Sequence, residues 1–385
     1  MVKHFLPFFD QDHAALRERA REWVDGKLFL PPGPASGVEQ RAVQIARDLG
    51  ADGFLKYTVT QPFGGMRNSV GARDLCVLRE ELARGDALAD TMFAMQALGS
   101  YPIALAGSEL QKRHYLPKVA SGAAIAAFAI TEPEAGSDVA SMQTRAIRRG
   151  NNFSISGTKS FISNAGIANF YVVFASTAPE KKGKGVSAFV VDAAAAGLVV
   201  KEKIELLSPH PIGVIEFDNC VAGEDALLGK AGEGLQIAFA TLDFLRCTVG
   251  AAAVGLAQRA IEEAIQYSKS RRQFGRAIAE FQGIEFKLAE MATELEAARL
   301  LVDQAAWVHD CAGDDSKLKS SMAKFYATEA AQRIVDQALQ IHGGSGLIAG
   351  SIIERLYRDV RALRIYEGTS EIQKVIIARK LLNKS

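Results

Sequence analysis

The hydrophobic pattern of this chain changes twice along its length, and these changes limit the folds that it can adopt. From about residue 10 to residue 120, apolar residues recur at helical spacing. Between about residues 123 and 229 they form short β-rich runs, separated by turns rich in glycine, asparagine and lysine. Long helical stretches return from residue 232 onward. This order predicts an α+β protein in which a sheet domain lies between two helical domains.

The same pattern sets the predicted domain boundaries. We expect an N-terminal helical domain over residues 1–122, a β-barrel-like antiparallel middle domain over 123–230 and a C-terminal helical domain over 231–385. The predicted strands are 126–130, 153–156, 170–175, 186–191, 199–204 and 213–217. The predicted long helices of the last domain are 235–272, 281–311 and 316–341, followed by one that begins after Thr369.

Composition excludes several classes of function. The chain has 385 residues, 48% of them hydrophobic, with a net charge of +1, so no bulk field favours nucleic acid or an anionic membrane. Its four cysteines have neither disulfide-framework nor metal-ligand spacing, which favours a reduced cytoplasmic protein without a structural metal. The N-terminal segment is acidic and has no long apolar core, so we expect neither a signal nor a transit peptide. We also expect no membrane-spanning segment.

The stretch Tyr366-Glu367-Gly368-Thr369-Ser370 contains the main candidate for chemistry. Ser370 and Gln373 fit a capping box, which predicts that a helix begins here. Glu367 then lies in a loop directly before that helix, where free N–H groups favour anions. Taken alone, Glu367 is either a solvated loop acid or a functional carboxylate.

Four further stretches are unusual, and each also has a plain structural interpretation. The run from Phe128 to Asp138 is either a turn after a strand or a polar shelf for a heteroaromatic ring. The run from Lys159 to Asn164 is either aromatic core or a cover for a flat cofactor. Ser268–Arg276 is either a helix C-terminus with Gly275 as its cap or a site for a pyrophosphate and an adenine. Gln340–Gly346 is a glycine-rich helix end that a phosphate can approach.

Taken together, these motifs resemble the acyl-CoA dehydrogenase family. The resemblance extends from about residue 10 to 378 and rests on the order of the motifs as well as their content. They are Thr131-Glu-Pro-x-Ala-Gly-Ser-Asp138, Arg271-x-Gln-Phe-Gly275, Gln340-Ile-x-Gly-Gly344 and Tyr366-Glu-Gly-Thr-Ser370. The resemblance implies a helical domain, a β-domain and a C-terminal four-helix bundle, with FAD as cofactor and a homotetramer built as a dimer of dimers.

The resemblance also implies roles for individual residues. Those expected to bind FAD are Phe128, Ile130, Thr131, Gly136, Ser137, Phe161, Ser163, Arg271, Gln273, Phe274, Gln282, Gln340, Gly343, Gly344, Thr369 and Glu371. Of these, Arg271, Gln273, Phe274 and Gln282 would reach the FAD of a neighbouring subunit. Those expected to contact the acyl-CoA are Ser137, Asp90, Thr91, Asp243, Arg246, Tyr366 and Gly368.

The implied reaction is α,β-dehydrogenation of an acyl-CoA thioester to the 2-enoyl-CoA. Glu367 would abstract the α-proton, FAD would take the β-hydride, and an electron-transfer flavoprotein would receive the electrons. The backbone N–H of Glu367 and a flavin ribityl hydroxyl would hold the thioester oxygen. Some family members carry the base on the long bundle helix, where this chain has Leu245. Oxidase-like transfer of electrons to oxygen and 1,4-dehydrogenation of a cyclic enoyl-CoA remain alternatives, although oxidases typically carry an extra C-terminal domain.

One stretch departs from the family pattern, and one residue bears on which acyl group the enzyme takes. Where many members have a Met-Gly-x-Arg stretch, this chain has Glu205–Ile212, with two prolines and no arginine. Asp90 is either a solvated helix-surface acid or a carboxylate that reaches the acyl cavity. The second possibility favours a short, branched or alicyclic acyl group, because a carboxylate disfavours long chains and anionic dicarboxyl substrates. In that position Asp90 could also act as a second base beyond the β-carbon.

Overall fold

The computed structural model describes residues 8–28, 37–313 and 315–382. It divides the chain into two compact units. A mainly helical unit is drawn from the described parts of Met1–Ser36, Ala72–Asp90 and Asp243–Ser385. A unit that contains the sheet is formed by Gly37–Gly71 and Thr91–Leu242.

Ten α-helices lie in the described part of the chain. They are α1 (Gln11–Lys27), α2 (Val38–Ala51), α3 (Ala72–Gly85), α4 (Ala87–Ala106), α5 (Glu109–Ala120), α6 (Gly234–Ser270), α7 (Gln282–Trp307), α8 (Ser316–His342), α9 (Ile352–Ala362) and α10 (Ser370–Leu381). In the helical unit α1 packs on α3, α7 packs on α8, and α8 also packs on α9 and α10. The helical–β–helical order predicted from the sequence is therefore confirmed, whereas α9 was not predicted.

An eight-stranded sheet forms the core of the other unit. Its strands are β1 (Ala126–Ala129), β2 (Arg145–Arg149), β3 (Asn152–Ser163), β4 (Phe170–Ser176), β5 (Val186–Asp192), β6 (Leu198–Lys203), β7 (Ile212–Gly223) and β8 (Leu227–Leu228). The strand order is β6-β7-β3-β2-β4-β5-β8, with β1 paired to β4. All six predicted strands are present, and the short β2 and β8 are additional.

Most strand pairs are antiparallel, as expected, but β1 runs parallel to β4, with Ala126 opposite Phe170. The β2–β3 hairpin lies between the two strands along the chain, which provides the long connection that parallel pairing needs, and β2 also pairs with β4 in parallel. Every residue of β4 is buried, which explains why this strand is a continuous apolar run and not an alternating one. The end of β1 is held by a hydrogen bond from the Ser160 N–H to the Thr131 carbonyl, 2.9 Å long. The loop that begins at Thr131 therefore starts from a fixed point.

The segment Ser268–Arg276 folds differently from its plain interpretation. Helix α6 ends at Ser270, and the chain then forms a small hairpin of β9 (Arg272–Gln273) and β10 (Arg276–Ala277). Its turn residues Phe274 and Gly275 have φ of 50° and 82°, the left-handed values that tight hairpin turns require. Gly275 is thus a hairpin residue, and the plain interpretation in which it caps the helix is wrong.

Helix α6 is long and apolar enough to cross a membrane by length and composition. In this structure 78% of its most apolar window is buried inside the protein, as in the core helix of a globular protein. The long apolar stretch is therefore explained by packing.

Candidate active site

Glu367 lies in a tight turn between α9 and α10 with an unusual backbone conformation. Its φ is 52°, and that of Gly368 is 90°, so two consecutive residues are left-handed. Glycine adopts this conformation freely, but for a glutamate it costs on the order of 1–3 kcal/mol and persists only where the surroundings enforce it. Strain of this kind clusters at functional sites.

The turn is fixed by hydrogen bonds at the start of α10. Thr369 is the N-cap, and its Oγ1 accepts from the Ile372 N–H at 3.3 Å. The predicted capping box on Ser370 is therefore wrong by one residue. Ser370 is the first helical residue and donates instead to Glu329, at 2.6 Å. Gln373 turns back to donate to the Gly368 carbonyl at 2.9 Å.

The carboxyl group of Glu367 lies among charged side chains of its own unit. Its Oε2 is buried and has no hydrogen-bond partner in the described part of the chain. Burial raises the pKa of Glu367 above its ordinary value, while the positive charges of Arg79 and Lys324 oppose that rise. Asp90 adds to the rise and Arg246 opposes it. A carboxylate with a raised pKa and a free oxygen is well suited to accept a proton near neutral pH.

Arg79 and Asp90 form a buried ion pair within electrostatic range of Glu367. Arg79 Nε and Nη2 donate to the two carboxylate oxygens of Asp90 at 2.7 and 2.8 Å. Arg79 Nη1 also donates to Thr248 Oγ1 at 2.9 Å. Burial raises the pKa of the neighbouring Tyr366 hydroxyl, and Arg79 opposes that rise. Asp90 is only 3% exposed, so the interpretation of Asp90 as a surface acid is wrong.

The other expected acyl-CoA residues lie in different environments. Arg246 is buried on α6 and forms an ion pair with Asp243, whose second oxygen lies 3.2 Å from Lys317 Nζ. Thr91 is half-buried on α4 and belongs to the unit that contains the sheet. Direct contact of these residues with an acyl-CoA stays a prediction.

On the sheet unit, the expected flavin residues cluster around the end of β1. Phe128 and Ile130 are buried there, whereas Gly136 and Ser137 lie on the exposed loop that follows Thr131. Phe161, on β3, is 58% exposed. Its φ of 55° is also left-handed, so an aromatic ring is held out of the core at a strained position.

Two residues that contact the expected flavin residues or their loop were missed by sequence reasoning. Lys159 is fully buried, and its Nζ donates to the Ile130 carbonyl at 3.1 Å and to Glu132 Oε1 at 2.9 Å. His210, in the proline-containing stretch, lies 3.1 Å from Ser163 Oγ. The sequence signal for Lys159 was its place in a β-rich run beside Phe161. Because lysine is usually a surface residue, this signal did not indicate a buried side chain.

On the helical unit, the expected dinucleotide residues are exposed at two helix ends. Arg271, Gln273 and Gln282 are exposed around the β9–β10 hairpin, and Phe274 is 94% exposed. Gln340, Gly343 and Gly344 are exposed at the end of α8. Thr369 caps α10, and Glu371 is exposed in its first turn.

These features fit the requirements of FAD. A side-chain carbon added at Gly343 or Gly344 would meet nothing within 4 Å, so this backbone is open to close approach by a ligand. An exposed guanidinium and an exposed ring provide the partners that a pyrophosphate and an adenine need. Exposed aromatic residues at strained backbone positions are otherwise unfavourable in a chain surrounded by water.

Comparison with known proteins identifies the family. Three domain descriptions match in order: acyl-CoA dehydrogenase N-terminal domain at residues 10–123, middle domain at 127–220 and C-terminal domain at 232–382. An acyl-CoA dehydrogenase of Bacillus subtilis is 38% identical, over 97% of this chain and 98% of its own. The caffeyl-CoA reductase-Etf complex subunit CarC of Acetobacterium woodii is 37% identical, over 98% of this chain and 100% of its own.

A solved structure has the same architecture. It is a glutaryl-CoA dehydrogenase from Mycobacterium smegmatis in complex with FADH2, with a TM-score of 0.89 and 29% identity. The match covers 98% of this chain and 96% of the other.

The fold and site define a FAD-dependent oxidoreductase that acts on acyl thioesters. The chain belongs to the acyl-CoA dehydrogenase family, and all three family domains are present in it.

Proposed function

We propose that this enzyme dehydrogenates a short, branched or alicyclic acyl-CoA to the 2-enoyl-CoA, with Glu367 as the base that removes the α-proton. The observation that carries the proposal is the Glu367 carboxylate, which lies in a strained turn and has a buried oxygen without a hydrogen-bond partner among the described residues. An unsatisfied buried acceptor costs about 1–3 kcal/mol, so its retention is consistent with a substrate proton as the missing partner.

Removal of an α-hydrogen also requires that the thioester carbonyl be polarised. The backbone N–H of Glu367 makes no hydrogen bond within the described part of the chain. One residue therefore offers both a carboxylate for the α-proton and an N–H donor for the oxygen on which enolate charge develops. This pairing favours α-proton abstraction over other uses of a buried carboxylate.

The cofactor role follows from the family and from the two groups of exposed residues. FAD, when bound, supplies the acceptor for the β-hydride. The residues around the end of β1, with Phe161, would border the ring of one FAD. The residues at the ends of α6 and α8 would hold the dinucleotide portion of another. Since the latter are exposed on the single chain, we propose that they serve the FAD of a neighbouring subunit in a homotetramer.

The substrate preference rests on the Arg79–Asp90 pair. A buried ion pair keeps its stability only while both partners remain hydrogen-bonded, and burying apolar chain against it would further desolvate the charges. A compact acyl group avoids that cost better than a long straight chain. The named relatives act on different acyl groups, caffeyl and glutaryl, at comparable similarity to this chain.

The electron acceptor is proposed from relatives. The CarC relative is named as a subunit of a complex with Etf. We propose an electron-transfer flavoprotein as the acceptor for this chain too, working in the cytoplasm.

The test is to purify the protein, record its visible flavin spectrum and add acyl-CoA esters without oxygen. Butyryl-, isobutyryl- or cyclohexanecarboxyl-CoA should bleach the flavin faster than octanoyl- or glutaryl-CoA.

Glu367→Gln should retain the spectrum and the fold but lower the bleaching rate by about 10²–10⁴-fold, the usual contribution of a positioned base. A Gln variant that bleaches at the wild-type rate would show that another group is the base. Rapid return of the colour in air, without an added acceptor, would favour the oxidase alternative.

A further inference from the structure

A buried lysine holds the turn that carries Glu367. Lys324 lies on α8, is 0% exposed, and donates from Nζ to the Gly368 carbonyl at 2.7 Å. This bond joins residues 44 positions apart in the chain. A lysine is rarely fully buried unless it is paired with an opposite charge. Here, among the described residues, its hydrogen-bond partner is a neutral backbone carbonyl.

The bonded carbonyl belongs to the Gly368–Thr369 peptide, which directly follows the two strained residues of the turn. Gly368 and Glu367 are the two left-handed residues of the turn, and the Gly368 carbonyl accepts from both Lys324 and Gln373. Two donors on one carbonyl fix the orientation of that peptide plane, because rotating it would break both bonds and bury an unpaired ammonium group. This peptide plane lies one residue after Glu367, so fixing it limits the path of the turn that carries the Glu367 side chain.

Helix α8 holds the turn at a second point. Glu329 lies further along α8 and accepts from Arg364 Nε at 2.8 Å and from Ser370 Oγ at 2.6 Å. These contacts hold the turn at Arg364 and Ser370, its two ends. Lys324 is the α8 residue that bonds the Gly368 carbonyl between them. Of these α8 contacts, the Lys324 bond is therefore the nearest in the chain to Glu367, and it can fix the position of the Glu367 carboxylate.

Lys324 also acts through its charge. Its positive charge lowers the pKa of Glu367, against the rise caused by burial. Burial lowers the pKa of Lys324 itself to about 8, with Arg246 adding to that effect and Glu367, Glu329 and Glu371 opposing it. The other groups of the described chain with the largest effect on the pKa of Glu367 are Arg79, Asp90 and Arg246, and the titratable Tyr366 also interacts with Glu367.

We infer that Lys324 is a positioning residue for catalysis: it holds the Gly368–Thr369 peptide, directly after Glu367, and so fixes the strained turn that carries the carboxylate while placing a positive charge near it. This inference rests on the proposed role of Glu367 as the base. It predicts a loss of kcat that exceeds any loss of stability or of FAD.

Two variants separate the bond from the charge. Lys324→Met has similar reach but removes both, whereas Lys324→Gln keeps a donor and removes the charge. Lys319→Met is the matched control, because Lys319 lies near the start of the same helix and is only partly buried. Each protein is tested as the FAD-loaded enzyme for kcat, KM, FAD content, Tm and the pH dependence of kcat/KM.

Lys324→Met should lower kcat by about 10–100-fold with a smaller change in KM, as expected when a catalytic group shifts by about 1 Å. The acidic limb of its kcat/KM profile should move to higher pH, because the charge that lowers the pKa of Glu367 is gone. Lys324→Gln should show the same shift in the acidic limb but a smaller loss of kcat. Lys319→Met should match the wild type.

A wild-type kcat and pH profile in Lys324→Met, with only a lower Tm, would overturn the inference and leave Lys324 a structural residue. If Lys324→Met does not fold, Lys324→Gln decides: an unmoved acidic limb overturns the inference. Glu367→Gln in the same series separates the two proposals. If it is active, the base assignment fails; if it is inactive while both Lys324 variants behave as wild type, only the inference about Lys324 fails.

Discussion

At Glu367, backbone strain and charge act on the same residue. The turn places a glutamate at a φ of 52° and burial raises the pKa of its carboxyl group, and both effects oppose stability. The bonds from Lys324, Gln373 and the Thr369 cap oppose that tendency. The turn is stable only because several elements hold it at once.

Replacing Gly368 should disturb this balance. A side-chain carbon at Gly368 would lie 2.6 Å from Gln373 Nε2, and the φ of 90° is unfavourable for any L-residue. We expect Gly368→Ala to lower stability by about 1–2 kcal/mol and to lower kcat as well, since Gln373 must move away from the Gly368 carbonyl. Urea unfolding and steady-state rates measure the two effects. Gly26→Ala in helix α1, where the added carbon meets nothing within 4 Å, is the control and should be neutral or stabilising.

The Arg79–Asp90 pair should govern the choice of acyl group. Asp90→Asn leaves the Arg79 guanidinium buried without its counter-charge, so we expect lower stability and altered relative kcat/KM across the acyl-CoA panel. The double variant Arg79→Met/Asp90→Leu removes both charges and should shift preference toward octanoyl-CoA. Ratios that stay constant in both variants would show that the pair does not select the substrate.

At the scale of elements, Glu80 connects three helices of one unit. It lies on α3, is 5% exposed, and contacts Arg17 of α1 at 2.9 Å and Arg299 of α7 at 3.1 Å. Burial would raise the pKa of Glu80, but the two guanidinium groups outweigh burial and lower it to about 2. The nearby Asp303 is buried without so close a cation, and burial together with Glu80 raises its pKa to about 7.

The lowered pKa of Glu80 predicts that the protein loses stability at acidic pH. Because its folded pKa is below the unfolded value, its stabilising contribution is present above about pH 4.5 and is lost as pH falls toward 2. Glu80→Gln should cost about 3–5 kcal/mol at neutral pH and flatten the pH dependence of stability in that window. Denaturant unfolding at several pH values measures both effects. Glu294→Gln, which removes a largely exposed pair with Arg333, should cost less than about 1 kcal/mol.

At the scale of the whole molecule, we expect the exposed β9–β10 hairpin to connect cofactor retention with assembly. Arg271, at the end of α6, and Phe274, at the hairpin turn, are exposed on the single chain. An exposed ring beside a cation suits a contact with another molecule better than a contact with solvent. If that molecule is a neighbour's FAD, loss of the tetramer and loss of flavin should occur together.

Arg271→Ala should therefore release FAD on dilution, because a pyrophosphate loses a charge-assisted bond worth roughly 1.5–3 kcal/mol. Size-exclusion chromatography with absorbance at the flavin band follows assembly and cofactor together. Arg272→Ala, on the neighbouring exposed residue of β9, is the control and should retain FAD. A wild-type monomer that holds FAD tightly would contradict the neighbour-subunit arrangement.

The sequence alone determined the class of fold and the position of the turn that carries the proposed base. Six β-rich runs predicted six strands of the sheet, because β-propensity and the local pattern of apolar residues do not depend on which strands pair. The Tyr366–Ser370 motif located a turn before a helix, because capping and left-handed conformations depend on local residue types. Even there, the cap was predicted one residue too late, since threonine and serine are both good caps and only the backbone path chooses between them.

Only the tertiary structure decided which charges surround Glu367. Arg79 and Lys324 lie far from it in the sequence, and both would be taken for surface residues by their type. The sequence left open whether Asp90 lies on the surface or in the interior, and the structure places it in the interior, 2.7 Å from Arg79 Nε. A charge can be buried only when a partner from elsewhere in the chain compensates its lost hydration, and that compensation depends on how the helices pack.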